Sequence, residues 1–99
     1  QPIMTRVVVY YSENNHMAIQ VFPNPTSDWI IVNARGHEQE LHIELYDLTG
    51  KLLEADLLRT GVSSKEIDMR PFPSSFYILR IFSREGKVLY SYKLQKTTK

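Results

Sequence analysis

Three histidines, His16, His37 and His42, are the side chains here best suited to proton transfer or metal ligation near neutral pH. A zinc centre needs three or four donors, and neither a cysteine nor a second-ligand spacing joins these three, so no metal site is predicted. Serine, histidine and aspartate all occur. Yet no Gly-x-Ser-x-Gly elbow presents a nucleophile, and no glycine-rich loop cradles a phosphate. Trp29 with Tyr10, Tyr11 and Tyr46 would form a sugar-stacking platform if the fold brought them together. Rings of this kind more often bury an apolar body and wet one polar tip. The residues therefore imply no enzyme and no cofactor, and the absence of cysteine removes disulfides and thiol chemistry as well.

Two segments have a composition that asks for a role. In Pro23-Asn24-Pro25-Thr26-Ser27-Asp28, two prolines remove two N–H donors, fix φ twice and hold Asn24 extended between them. Thr26, Ser27 and Asp28 then offer side-chain oxygens that can close a turn, so the chain is expected to pass from one strand to the next through a stiff loop. At the other end, residues 87–99 carry Lys87, Lys93, Lys96 and Lys99 and no acid. Residues Gln95–Lys99 follow the last expected core residue and read as a solvated end.

The elements that must position these segments are strands. Val, Ile and Thr far outnumber Ala, and 11% of the residues are aromatic, a balance that suits pleated surfaces. Residues 40–47 alternate Leu41, Ile43 and Leu45 against His42, Glu44 and Tyr46. Residues 87–95 alternate Val88, Tyr90, Tyr92 and Leu94 against mostly polar partners. The run 76–82 is apolar on both sides, as in a strand covered on two faces. Further strands are expected near 6–11, 18–22, 28–34, 51–58 and 62–67, with a turn at Glu13-Asn14-Asn15. Asp47–Lys51 and Ser83–Lys87 share one turn chemistry, in which Gly50 and Gly86 take positive φ and form a bulge. Ile30, Val32, Leu41, Ile43, Leu45, Ile78, Val88, Tyr90 and Leu94 are the expected core. Seven or eight short strands about ten residues apart predict an all-β fold, an antiparallel immunoglobulin-like β-sandwich, with a partly open barrel as the alternative.

The chain has 99 residues, enough for one domain. Its net charge of +1 argues for no nucleic-acid partner, and no apolar run is long enough to insert into a membrane. It begins Gln1-Pro2 rather than with Met, which reads as a segment of something longer.

Phe22–Asp28, the run Leu45-Tyr-Asp-Leu-Thr-Gly-Lys-Leu-Leu53, Ile67-Asp68 leading to Pro73-Ser-Ser-Phe-Tyr77, and Gly86-Lys87 before a Lys-bearing end occur in that order. This set closely resembles the C-terminal sorting domain of the Bacteroidetes type IX secretion system over roughly residues 19–97. The resemblance divides the chain into a junction with a parent protein (1–18), for which a first strand in Val7–Tyr11 and the cleavage region are both open readings, and a sorting domain (19–99). It implies a non-catalytic signal on an exported cargo that passes through the periplasm to the cell surface or beyond. The implied partners are the outer-membrane translocon and a sortase-like protease that removes the domain. Pro23, Asn24, Pro25, Asp28, Lys87, Lys93 and Lys96 are the residues expected to be recognised. A stand-alone adhesion or carbohydrate-binding module is the other functional reading. The family usually has Gly where this chain has Ser75, which implies a different local turn or some strain.

Overall fold

The structure, a computed structural model, describes residues 7–11 and 16–98. Eight strands follow one another: β1 (Val7–Tyr11), β2 (His16–Phe22), β3 (Trp29–Arg35), β4 (Leu41–Asp47), β5 (Leu52–Leu58), β6 (Ser64–Asp68), β7 (Ser75–Phe82) and β8 (Val88–Lys96). They form two four-stranded antiparallel sheets, ordered β1-β2-β3-β6 and β5-β4-β7-β8. The expected turn at Glu13-Asn14-Asn15 lies outside the described residues. The sheets close on an interior of aliphatic side chains, with Ile19, Val21, Ile30, Val32, Ile43, Leu45, Ile67, Leu79, Ile81 and Leu94 fully buried. Burying such side chains contributes on the order of 1.5–3 kcal/mol each, set against the chain entropy that ordering costs.

Both predicted hairpins form, β4 with β5 and β7 with β8. In each turn the first residue's carbonyl accepts from the glycine N–H and its own N–H donates to the lysine carbonyl: Asp47 with Gly50 and Lys51, Ser83 with Gly86 and Lys87. Gly50 and Gly86 both sit at φ +91°, as the bulged-turn reading requires. The Asp47 carboxylate reinforces the first turn by accepting from Thr49 and Lys51, and the Thr49 bond is the leading reason its carboxyl lies below the ordinary value.

Three expectations about packing are corrected. The run 76–82 is not covered on both faces, because a two-layer sandwich has nothing outside its second sheet. The pairs Ile43–Ile81 and Leu45–Leu79 set the inward phase, so Tyr77, Leu79 and Ile81 are buried and Ile78 is only half-buried on the outer face. Val88 is not core either. A register shift between Ile81 and Phe82 inserts one residue into β8, which packs Leu89 against the core and leaves Val88 48% exposed. Ser75 needs no special turn: it opens β7 opposite Lys96, and no residue other than glycine takes positive φ among the described residues.

Strand direction sorts the connections between two ends of the sandwich. One pole gathers residues 23–28, the 47–51 turn, residues 69–74 and the end of β8. The other gathers residues 36–40, 59–63 and the 83–87 turn. β1 pairs with β2, Val7 beside Gln20, so the chain enters it from the pole of the 23–28 loop.

Candidate recognition site

The two segments singled out by composition meet. Thr26 leaves the β2–β3 connection to form a parallel bridge with Lys96: its N–H donates to the Gln95 carbonyl at 2.9 Å, and its carbonyl accepts from the Thr97 N–H at 2.8 Å. Prolines at 23 and 25 have no N–H to offer, so the side chain between them supplies the bonding. Asn24 donates through Nδ2 to the Tyr92 hydroxyl (3.0 Å) and the Lys93 carbonyl (3.2 Å), and its Oδ1 accepts from the Gln95 N–H (2.9 Å). Both prolines follow cis peptide bonds. Thr26, itself buried, pins the loop by donating from Oγ1 to the Trp29 carbonyl at 2.6 Å and accepting from the Asp28 N–H. The loop thus caps the outer edge of β8 along residues 93–97, where unpaired edge groups would otherwise invite another strand.

The segment after Leu94 is therefore not a frayed end, which corrects the reading of Gln95–Lys99; of that stretch only Lys99 lies outside the described residues. β8 continues to Lys96, which is only 8% exposed, and its Nζ donates to the Phe72 carbonyl at 2.8 Å. Burial of the lysine stem is tolerated because the ammonium finds that acceptor. Thr98 Oγ1 pairs with Ser74 Oγ at 2.8 Å. Residues 69–74 are held in turn by the Met69 N–H on the Asp28 carbonyl and by the Tyr77 hydroxyl on the Pro73 carbonyl. Burial is the main reason the Tyr77 phenol is pushed above its ordinary value.

The tail lysines do not form one patch. Lys96 faces inward, and Lys93 lies on the outer sheet face with its ammonium 4.6 Å from the centre of the Phe76 ring. Lys87 sits in the hairpin turn at the opposite pole, roughly 30 Å away at strand rise. Beside the loop, Arg70 grips Asp68 through two bonds of 2.9 and 3.0 Å and lies 4.8 Å from the Trp29 ring centre. The Arg70 hydrogen bond is the chief reason the Asp68 carboxyl lies below its ordinary value.

No group of three or more histidine, aspartate and glutamate side chains that could hold a metal ion forms among the described residues. His37 spans the carbonyls of Gln39 and Val62 at the far pole, while His42 projects from β4. Trp29 and Tyr46 belong to different sheets, so the sugar platform does not assemble from those two.

Residues 20–98 match the family described as Secretion system C-terminal sorting domain. The chain belongs to this family, the sorting domains of type IX secretion. No curated protein matches it. Among solved structures, the sorting domain is similar to a DUF3244 family protein of immunoglobulin-like β-sandwich fold from Bacteroides vulgatus. That likeness is at 14% identity and TM-score 0.73, over 97% of this chain and 100% of the other. The identity is too low to carry more than the fold. It agrees with the two-sheet architecture, and the membership agrees with the four ordered motifs. A sorting-signal role, with export toward the cell surface or extracellular space, follows from the family.

Sequence reasoning missed the joining of loop and tail. The signal available for it was a lone amide side chain set between two residues without N–H groups, at the level of a strand edge that needed capping.

Proposed function

We propose that this domain is the address of a larger exported cargo, and that the outer-membrane translocon reads the Pro23–Asp28 loop and the end of β8 as a single surface. The supporting observation is the hydrogen-bond network from Asn24 and Thr26 to Gln95 and Thr97, which holds residues some seventy positions apart in one arrangement. A signal carried by unrelated cargoes must keep its shape by itself, and the bonds that join loop and tail run between residues of the domain. Pro23, Asn24, Pro25 and Asp28 lie on that surface, and Lys93 extends it along β8. Lys87 is at the far pole, and Lys96 contributes by holding the tail rather than by meeting a receptor.

The junction with the cargo lies at the start of the chain in this reading, with Val7–Tyr11 and the first residues of β2 belonging to the folded unit and the removing protease acting upstream of β1. The chain enters β1 from the pole that carries the loop, so the translocon and a sortase-like protease would work at one end of the domain.

All 99 residues fused behind a periplasmic reporter should carry it out of a type IX-competent cell and leave it periplasmic in a secretion-deficient one. A folded, intact fusion retained in the periplasm of the competent host would refute the reading.

A further inference from the structure

The outer face of the β5-β4-β7-β8 sheet is more apolar than contact with water requires. Register arranges it in rows across the strands. Leu52, Tyr46 and Ile78 lie side by side in one row, and Leu57, Phe82 and Val88 belong to another, with Ala55, Glu44, Arg80 and Ser91 in the row between them. Leu52 and Val88, with Phe76 at the end of the same face, are 40–48% exposed. A contiguous patch of this kind on one domain marks a contact surface.

Charge is divided along the same face. The β4–β5 half presents Glu44, while the β7–β8 half presents Arg80 and Lys93, and Glu44 and Arg80 stand opposite each other on the two central strands. Glu54 and Asp56 pair with Leu45 and Ile43 and so take the inward phase. Glu44 accepts from the Tyr46 hydroxyl, and the Arg80 guanidinium lies 5.6 Å from the centre of the Tyr46 ring. Those contacts leave acceptor sites on the carboxylate and N–H donors on the guanidinium.

The division is self-complementary. A two-fold axis parallel to the strands, between β4 and β7, lays β4 of one copy on β7 of another and keeps the rows in step. Glu44 then meets Arg80 of the second copy, and Arg80 meets its Glu44. Tyr46 falls on Ile78, Leu57 on Val88, and Leu52 on the apolar stem of Lys93, each contact being made twice. Sheets stacked face to face pack in this way about 10 Å apart. With strands about 4.8 Å apart and a rise of about 3.3 Å per residue, the face spans on the order of 400 Å² per copy, below the area of a permanent dimer and within the range of weak, reversible contacts.

We infer that this sheet face docks a second copy of the same chain, forming a weak two-fold pair in which Glu44 and Arg80 are reciprocally matched. Because the axis runs along the strands, both 23–28 loops lie at one end of the pair. The association does not depend on the sorting reading, and its test contains no cargo and no translocon.

Sedimentation equilibrium of the 99-residue chain at low salt, from about 10 μM to about 1 mM, is expected to show a monomer–dimer equilibrium. Amide shifts on raising the concentration should map to residues 42–46, 76–82 and 88–93 rather than to β2 or β3. Glu44→Lys and Arg80→Glu, each verified as folded by circular dichroism, should weaken self-association about tenfold. An equimolar mixture of the two variants should associate again, because opposite charges then meet at both positions, which a general loss of fold would not allow. Added salt should weaken the wild-type pair. The inference is overturned by a chain that stays monomeric throughout, by shifts confined to β2 and β3 or to the tail, by single variants that pair as the wild type does, by a mixture no tighter than either variant alone, or by a monomer that instead co-sediments with phosphatidylglycerol vesicles.

Discussion

Replacing Asn24 with alanine tests the reasoning at its centre. The side chain makes three bonds across the β8 edge, two of them partly buried, to the Tyr92 hydroxyl and from the Gln95 N–H, and one exposed, to the Lys93 carbonyl. Each partly buried bond is worth about 1 kcal/mol net, while water replaces most of the exposed one. The variant should therefore lose about 2 kcal/mol, or about 10 °C in midpoint for a chain of this length at ~2.1 cal/mol/K of unfolding entropy per residue. The loss should be local in origin, so amide exchange at Gln95 and Thr97 should accelerate more than exchange in β3 or β4. Asn24→Asp keeps an acceptor for the Gln95 N–H but no donor for Tyr92 or Lys93, and about half the loss is expected. Thermal unfolding by circular dichroism and hydrogen exchange read the two effects. A midpoint within about 2 °C of wild type, with Gln95 still protected, would mean that the network does not hold the tail and would remove the argument for a composite surface.

Deleting Gln95–Lys99 removes the last β7–β8 pairs, the Thr26 bridge and the Lys96–Phe72 bond. The chemical-denaturation midpoint should fall by more than the ~0.5 kcal/mol of an ordinary surface change, and an unaltered midpoint would restore the frayed-end reading. Gly50→Val and Gly86→Val should each cost about 1–3 kcal/mol through backbone strain at positive φ, since an added Cβ meets no atom within 4 Å at either site. Asparagine at the same positions should recover part of that loss in the same unfolding assay. Burial, then Asp56 and Asp68, raise the Glu54 carboxyl above its ordinary value, so its charged form costs stability at pH 7. Glu54→Gln should raise the melting temperature at pH 7, and that gain should vanish as pH falls through the raised folded value toward the ordinary one near about 4.3. A gain that persists at low pH would exclude burial of charge as the cause.

Local chemistry was legible in the chain because it needs few neighbours. Alternation in Leu41–Asp47, the paired turns ending at Gly50 and Gly86, and the stiffness of Pro23–Pro25 depend on residues within a few positions of one another. They predict strands, hairpins and an all-β sandwich, and four motifs in order were enough to indicate the family. Side-chain phase was less legible. Ile78 and Val88 sit in runs whose pattern admits either face, and the choice was made by pairing with β4 and by a one-residue bulge that alternation does not reveal.

The joining of the 23–28 loop to the tail was decided by tertiary structure. The flanking prolines mark the Asn24 amide as a group that must bond elsewhere, but its partners Tyr92, Lys93 and Gln95 arrive only after two sheets have formed and closed on each other. The same closure turns Lys96 inward, separates Lys87 from it by a strand's length, and leaves Trp29 exposed beside two carboxylates. Periodicity reports which face of a strand is apolar. Which strand edge lies beside which loop depends on the order of strands in both sheets, and that order is set by the packing of the whole chain.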